Sequence, residues 1–531
     1  MIFYSVIRMQ RRFGAVEDRS LRFRGVGGFE RIVVLLAGIA LAVIAVIVWV
    51  GPAPIAWLLL GFCGVVSLAA LAVQVRRERF FEPLTVIAAF TLLSFAARAL
   101  QLFVNADDLL SFYAPANAND EYLRLETTET ARFVTENLKE PLEPALTRAV
   151  GAVATFVALV VVGYLVAWGP RLGKRLARVG RGISAPTNLQ AVVLVCLGIA
   201  AVGQVALLVK VGGPADALDN SLKHTVLRAG LAEHFLIGFG VVGLLIWAAW
   251  SPPRSTLGRL ALGLTTLEIC LFFAIAGSRT RVLLVLGMLA IVIHYLWRRW
   301  RPLEVALAVA MVVIFASALL GVRQATFDKP TGEALKSAPN FIVEPQTVLN
   351  DLNEFDYLFE ATAVIGSPRE YRNPADFQYG NGFWQAVHPF VPGFIDPDKP
   401  ESRDQEFRKI LWGNTQGEGR PYTIIGDFWN DFGFAGVVVG AFLFGLFSRA
   451  MLGLVSADGP RHGREYRVIL YAMGLTLVYV AVSTTYSVTI GFLVVFGLPL
   501  LLTVYAIRPA TEYASRRLGS WGRGREKASI R

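Results

Sequence analysis

The sequence predicts an all-α integral membrane protein of about twelve transmembrane helices with one large outward loop containing short helices. Three observations carry this. Hydrophobic residues make up 55% of the 531 and charged residues only 17%, with a mean hydropathy of +0.53, whereas soluble domains hold nearer ~25% charged residues. Apolar runs close to the ~20 residues that cross ~30 Å of hydrocarbon recur along the chain, and helices are the economical way to pair the backbone there. The connections between runs also alternate in charge, as the positive-inside bias requires.

The chain opens on a basic tail, 1–31, too polar and Arg-rich for a cleaved leader. Spans are expected at 32–50, 55–75, 85–104, 150–168, 189–209, 231–250, 260–276, 282–297 and 303–320, so residues 32–320 hold nine of them. A loop of roughly a hundred residues, 321–422, separates these from spans at 424–447, 467–485 and 490–507 within the segment 423–508. A second basic tail, 509–531, ends the chain.

One set of connections is short and basic: Arg76 to Arg79, Arg171 to Arg181, Arg254 with Arg259, Arg298 to Arg301, and Arg449 to Arg467. These, with both tails, are assigned to the cytoplasm. The other set comprises the acidic segment 105–148, the segment 211–230, the turn Ser278-Arg279-Thr280-Arg281 and the long loop. The net charge of +11 is thereby a topology signal, and nucleic acid is excluded as a partner. Cys63, Cys196 and Cys270 each lie inside apolar runs, far apart, and read as small core hydrophobes without a disulfide or metal role.

Within the outward segments, Tyr122-Leu123-Arg124-Leu125 and Phe133 suit a surface helix that caps the bundle. In the long loop, Leu349, Leu352, Phe355, Leu358 and Phe359 have the spacing of an amphipathic helix over Val348 to Val364. Six prolines between Pro368 and Pro400 then break any long helix. A loop of this size is uncommon unless it is functional.

Arginines on the outward side run against the topology bias. Arg279 and Arg281 mark the outer end of a helical hairpin, Arg323 lies just past another span, Arg228 just before one, and Arg98 within an outer half. Charges at such depth face a cavity or a partner. Guanidinium forks hold phosphate oxygens bidentately; the simpler alternative is snorkelling to lipid headgroups or pairing with loop carboxylates. Trp384, Trp412, Tyr357, Tyr371 and Tyr379 are of the kind that stacks on sugar rings.

The second half of the loop shows Phe377-Gln378-Tyr379-Gly380, His388-Pro389-Phe390-Val391-Pro392 and Asp396-Pro397-Asp398-Lys399-Pro400. Ile425-Gly426-Asp427-Phe428-Trp429-Asn430-Asp431-Phe432-Gly433-Phe434-Ala435-Gly436 opens the next span. With Gly277-Ser278-Arg279, this run resembles the O-antigen polymerases, the Wzy-type oligosaccharide repeat-unit polymerases, over about 277–446. Gly393 stands where that family often has arginine, Asp427 where it usually has glutamate, and Asp431 interrupts its usual Asn-Phe-Gly.

The resemblance implies a GT-C-like polymerase architecture in a bacterial inner membrane, with the long loop in the periplasm. It implies transfer of a growing glycan from undecaprenyl pyrophosphate to a new lipid-linked repeat unit, for O-antigen, capsule or exopolysaccharide. The implied partners are that lipid-linked glycan as donor and acceptor, membrane lipids, and as a further candidate a Wzz-type chain-length regulator. The leaving group calls for cations near the bilayer surface, for which Arg279, Arg281 and Arg323 are the candidates. Arg228, Tyr379, Lys399, Glu401 and Arg408 are candidates for binding substrate, with Lys399 and Arg408 holding a second pyrophosphate or closing a lid. His388, Asp427 and Glu401 remain open as the base. No Asp-x-Asp metal site or nucleotide loop stands out, so no cofactor is expected: the donor carries its own activation.

Two other readings stay open. An O-antigen ligase shares the layout and differs in its acceptor. A flippase or transporter would place polar groups in mid-helix, where these runs are strongly apolar. Dolichol-type glycosyltransferases usually carry paired carboxylates in a large first outward loop, here only about Gly51 to Pro54.

Overall fold

Eleven helices dominate the described residues, and no strand occurs among them. The computed structural model describes residues 79–96, 142–178, 188–213, 231–275, 279–308, 379–387, 423–455 and 463–506 with a few masked positions, plus isolated residues elsewhere, mostly in 61–74. In order, the helices are α1 (Pro83–Thr91), α2 (Leu142–Leu165), α3 (Trp168–Leu176), α4 (Leu189–Val211), α5 (Leu231–Trp250) and α6 (Thr256–Ile275). Then come α7 (Arg279–Val292), α8 (Asn381–Val387), α9 (Thr423–Met451), α10 (Arg464–Ser483) and α11, which starts at Tyr486 and runs to Ala506 through a π turn at Leu493–Gly497.

Eight of these helical segments are long and apolar enough to cross a membrane. They coincide with the spans expected from 150–168 to 282–297 and from 424–447 to 490–507. The expected span 32–50 lies outside the described residues, and those at 55–75, 85–104 and 303–320 are described only in part.

Three boundaries differ from the sequence reading. α2 starts at Leu142, eight residues before the expected span; Pro144 is tolerated in a first turn, where its missing N–H has no intrahelical partner to lose. The basic stretch after α2 is helical in part: Trp168, Leu172 and the cations Arg171, Lys174 and Arg175 are exposed on α3, while Gly169 and Gly173 press against Arg449 and Ala450. A side chain at Gly173 would meet the Ala450 carbonyl, so the glycines allow this docking.

The third difference is a break. α9 is interrupted at Gly433, whose φ of 63° and ψ of −151° lie in territory open essentially to glycine alone. The Phe428 ring lies over Gly440, twelve residues on, which an unbroken helix would hold ~18 Å away. The chain therefore folds back, and 423–432 forms a short arm against the 434–451 shaft.

Close packing assembles the bundle. α2 and α9 cross where Gly163 meets the Phe442 carbonyl and Gly445 meets the Val160 carbonyl. Phe156 lies between Phe428 and Phe444, its ring tilted to both, with centroids 6.5 and 6.0 Å away. Lys210 pairs with Glu233 at 3.0 Å between α4 and α5. The Trp297 indole N–H donates to the Ala248 carbonyl at 2.7 Å, tying the ends of α5 and α7.

The two ends of the bundle differ in chemistry. At the end where α2 and α7 finish and α10 begins, Glu82 is buried and accepts hydrogen bonds from Gln74 and Tyr164, both at 3.2 Å. Tyr471 donates to the Phe81 carbonyl at 2.6 Å, and Arg449 lies over the Tyr164 ring. Arg171, Lys174, Arg175, Arg298, Arg299 and Arg301 are exposed around this end. At the same end the Arg301 amide donates to Glu304 at 2.9 Å, and Arg298 pairs with that carboxylate at 3.0 Å. The opposite end holds the breaks in α9 and between α10 and α11.

Candidate functional site

Two helix breaks meet at that second end. α10 stops at Ser483, two buried residues follow, and α11 begins at Tyr486. The Ser483 and Thr484 hydroxyls donate back to Tyr479 and Val480 carbonyls at 2.9 and 2.6 Å, satisfying acceptors that a helix C-terminus leaves open. Thr485 occupies the capping position of α11, yet its side chain makes no cap bond. Asp427, from the α9 arm, takes over: its buried carboxylate accepts the Tyr486 N–H at 2.6 Å. A carboxylate at a helix N-terminus is favoured by the exposed amides and the helix dipole.

Asp431 performs a parallel task one turn later on the arm. Its Oδ1 accepts the Gly382 N–H at 3.2 Å, and its backbone carbonyl accepts the Tyr379 N–H at 2.9 Å. The arm therefore binds both the start of α11 and the start of α8. The two motif stretches, about fifty residues apart in sequence, form one unit. Asp431 is buried and joins them.

Strain concentrates here. Tyr379 has φ 47° and Thr423 has φ 62°; positive φ is rare outside glycine and unfavourable for a β-branched residue. The buried Thr423 hydroxyl accepts the Ile425 N–H at 3.3 Å, which helps hold the turn into the arm.

Buried polar atoms of Asn430, Arg281 and Gln385 at this end have no hydrogen-bond partner among the described residues. Asn430, fully buried between the two aspartates in sequence, has both carboxamide atoms unpaired. Arg281 has a buried guanidinium nitrogen, Nη1, without a partner. Its guanidinium carbon lies 5.9 Å from the Phe273 ring and 6.0 Å from the Phe492 ring. Phe492 stands six residues after Tyr486 on α11, so Arg281 and Asp427 flank the same helix at levels ~9 Å apart. Below Arg281, Leu284, Met288, Leu477, Val480 and Phe492 line a small apolar slot between α7, α10 and α11.

Above the arm, Tyr379, Phe383, Trp384 and Phe432 are all exposed. Tyr379 meets Phe432 edge-on at 6.5 Å, and Phe383 meets Tyr486 at 6.3 Å. Aromatic faces held beside polar groups are the usual means of gripping a sugar ring.

Of the residues proposed from sequence, Arg281, Asp427 and Tyr379 are thus placed at one end. Arg279 is the first residue of α7, and its side chain lies outside the described residues. Arg228, Arg323, His388, Lys399, Glu401 and Arg408 lie outside the described residues, as do Arg98, Trp412 and nearly all of Val348 to Val364. Sequence reasoning passed over Asn430, Phe383 and the structural task of Asp431. The adjacency of Asn430 and Asp431 just before Gly433 was the available signal, since two polar residues at a helix break seldom both face solvent.

Among the described residues, no three His, Cys, Asp or Glu side chains group as a metal site would. No known family, curated protein or solved structure matches this chain.

Proposed function

We propose that this protein is a polymerase of lipid-linked oligosaccharide repeat units, a glycosyltransferase of the bacterial inner membrane acting on its outer face. The observation that carries the reading is the buried Arg281 guanidinium, left with an unpaired N–H at the end where the arm, α8 and the start of α11 converge. A buried cation with no carboxylate partner among the described residues calls for an anionic ligand. Pyrophosphate at headgroup depth suits a guanidinium fork. The exposed aromatic rings of Tyr379, Phe383 and Trp384 at the same end suit the attached sugars.

The reaction breaks the bond between the donor's anomeric carbon and the pyrophosphate oxygen, which leaves with the electron pair as undecaprenyl pyrophosphate. A hydroxyl of the acceptor repeat unit forms the new glycosidic bond and gives its proton to a base. Arg281, with Arg279 and Arg323, would stabilise the charge that develops on the leaving group. Asn430 would hold a sugar or phosphate oxygen. Asp427, engaged by the Tyr486 amide, is assigned a positioning role, leaving His388 and Glu401 as candidates for the base. The basic end of the bundle, by the positive-inside bias, faces the cytoplasm, which puts both termini inside and this site outside. A chain-length regulator of the Wzz type would act on the same protein.

The interior weighs against a transporter. Between the Glu82 cluster at one end and Arg281 at the other, the α7, α10 and α11 faces are apolar, and Thr476 bonds back to its own helix. The deciding experiment is deletion of the gene with analysis of lipid-linked glycan. Accumulation of single repeat units with loss of long chains supports a polymerase; long chains that build up without transfer to a final acceptor would make it a ligase.

A further inference from the structure

The short helix α3 presents a chemistry that glycan transfer does not use. Its buried face is small: Gly169, Gly173 and then Ala177 recur every fourth residue. The two glycines press against the end of α9 at Arg449, Ala450 and Gly453. The opposite face carries Arg171, Lys174, Arg175 and, in the turn that follows, Arg178, all exposed. Steps of three, one and three residues lay these four cations in one stripe. Trp168, 59% exposed, and Leu172 form an apolar edge along it. The span of α2 ends at Leu165, three residues earlier. Trp168 therefore stands where an apolar run meets water, the depth that tryptophan favours.

Nothing described in the chain neutralises the stripe. The ion pairs among the described residues lie elsewhere, and between Glu143 and Asp216 the sequence has no acidic residue. The positive-inside bias explains the sign of these charges, and a disordered loop would satisfy it equally. It does not explain a helix clamped by glycines, with its cations aligned outward beside a Trp–Leu edge. We infer that α3 is a binding site for anionic phospholipid. Its cations hold headgroup phosphates, while Trp168 and Leu172 enter the boundary with the acyl chains. Charge complementarity selects an anion, and the apolar edge selects a lipid over a soluble phosphate. Such a site stands on the membrane-spanning helices alone, whatever chemistry occurs at the other end of the bundle.

The test is lipid retention by the full-length protein. It is solubilised in mild detergent with equimolar phosphatidylglycerol and phosphatidylcholine, and the bound lipids are counted by native mass spectrometry. Phosphatidylglycerol should be retained in preference, less so as salt is raised. Arg171→Gln, Lys174→Gln and Arg175→Gln together should weaken its binding by about a hundredfold, at roughly fivefold per cation. Arg171→Lys with Arg175→Lys should keep it. Arg298→Gln, Arg299→Gln and Arg301→Gln, also exposed at this end, should change it little. Equal loss from the two triple variants would mark a diffuse field and overturn the proposal. Displacement by equimolar inorganic phosphate, or an acidic protein retained in place of lipid, would also overturn it. Should the α3 variant insert poorly, the unmutated chain still decides: equal retention of the two lipids overturns the proposal.

Discussion

Replacing Asp427 separates its structural task from chemistry. The carboxylate is 2% exposed and accepts the Tyr486 N–H at 2.6 Å, in place of the capping bond that Thr485 does not make. Asp427→Ala leaves a donor without its charged acceptor, a loss of about 1.5–3 kcal/mol for a hydrogen bond to a charged group. At about 1.4 kcal/mol per decade, opening at the start of α11 becomes roughly ten- to a hundredfold more frequent. Asp427→Asn keeps a side-chain oxygen, and asparagine caps helices about as well as aspartate. Hydrogen–deuterium exchange over 484–492 is the assay, with glycan chain length measured in the same membranes. Alanine should raise exchange by that factor and shorten the polymer, while asparagine should nearly preserve both. Equal exchange for asparagine and alanine would refute the capping argument. Normal exchange with abolished polymer in Asp427→Asn would make this residue the base.

Arg279→Lys and Arg281→Lys keep charge and lose the fork; each should cost about ten- to a hundredfold in polymerisation at matched abundance, with Arg259→Lys, exposed at the other end, nearly silent. Gly433→Ala places a side chain at φ 63° and should destabilise the arm by about 1–3 kcal/mol, seen as faster proteolysis near 423–433 and shorter glycan. An impermeant thiol reagent should label Ser402→Cys in intact spheroplasts and leave Ser515→Cys untouched; the reverse pattern inverts the topology. Excess chelator should leave purified activity intact, and a strict need for Mg²⁺ or Mn²⁺ contradicts the charge-stabilising role given to the arginines.

The eight described spans were legible because lipid imposes one rule, apolar length, that a single sequence carries in full. The break at Gly433 was hidden within one such run: residues 424–447 read as a single span, and folding back depends on Phe428 finding Gly440. α3 was read as a basic loop because Trp168 to Leu176 contains glycine, proline and only about two and a half turns of mixed polarity, and docking against Ala450 supports it as a helix. At the site, Arg281 and Asp427 stood out as charges near span ends, the places where burial needs a reason. Asp431 was seen only as a departure from a pattern, since its partners, the amides of Tyr379 and Gly382, are backbone groups that no side-chain motif announces.

The central claim is most directly tested with purified protein in liposomes supplied only with undecaprenyl-pyrophosphate-linked repeat units of the host strain. The account predicts a ladder of glycan lengths on the carrier, with one undecaprenyl pyrophosphate released per unit added, and loss of the ladder in Arg281→Met. Repeat units that stay single while the unmutated protein is folded and correctly inserted would contradict it.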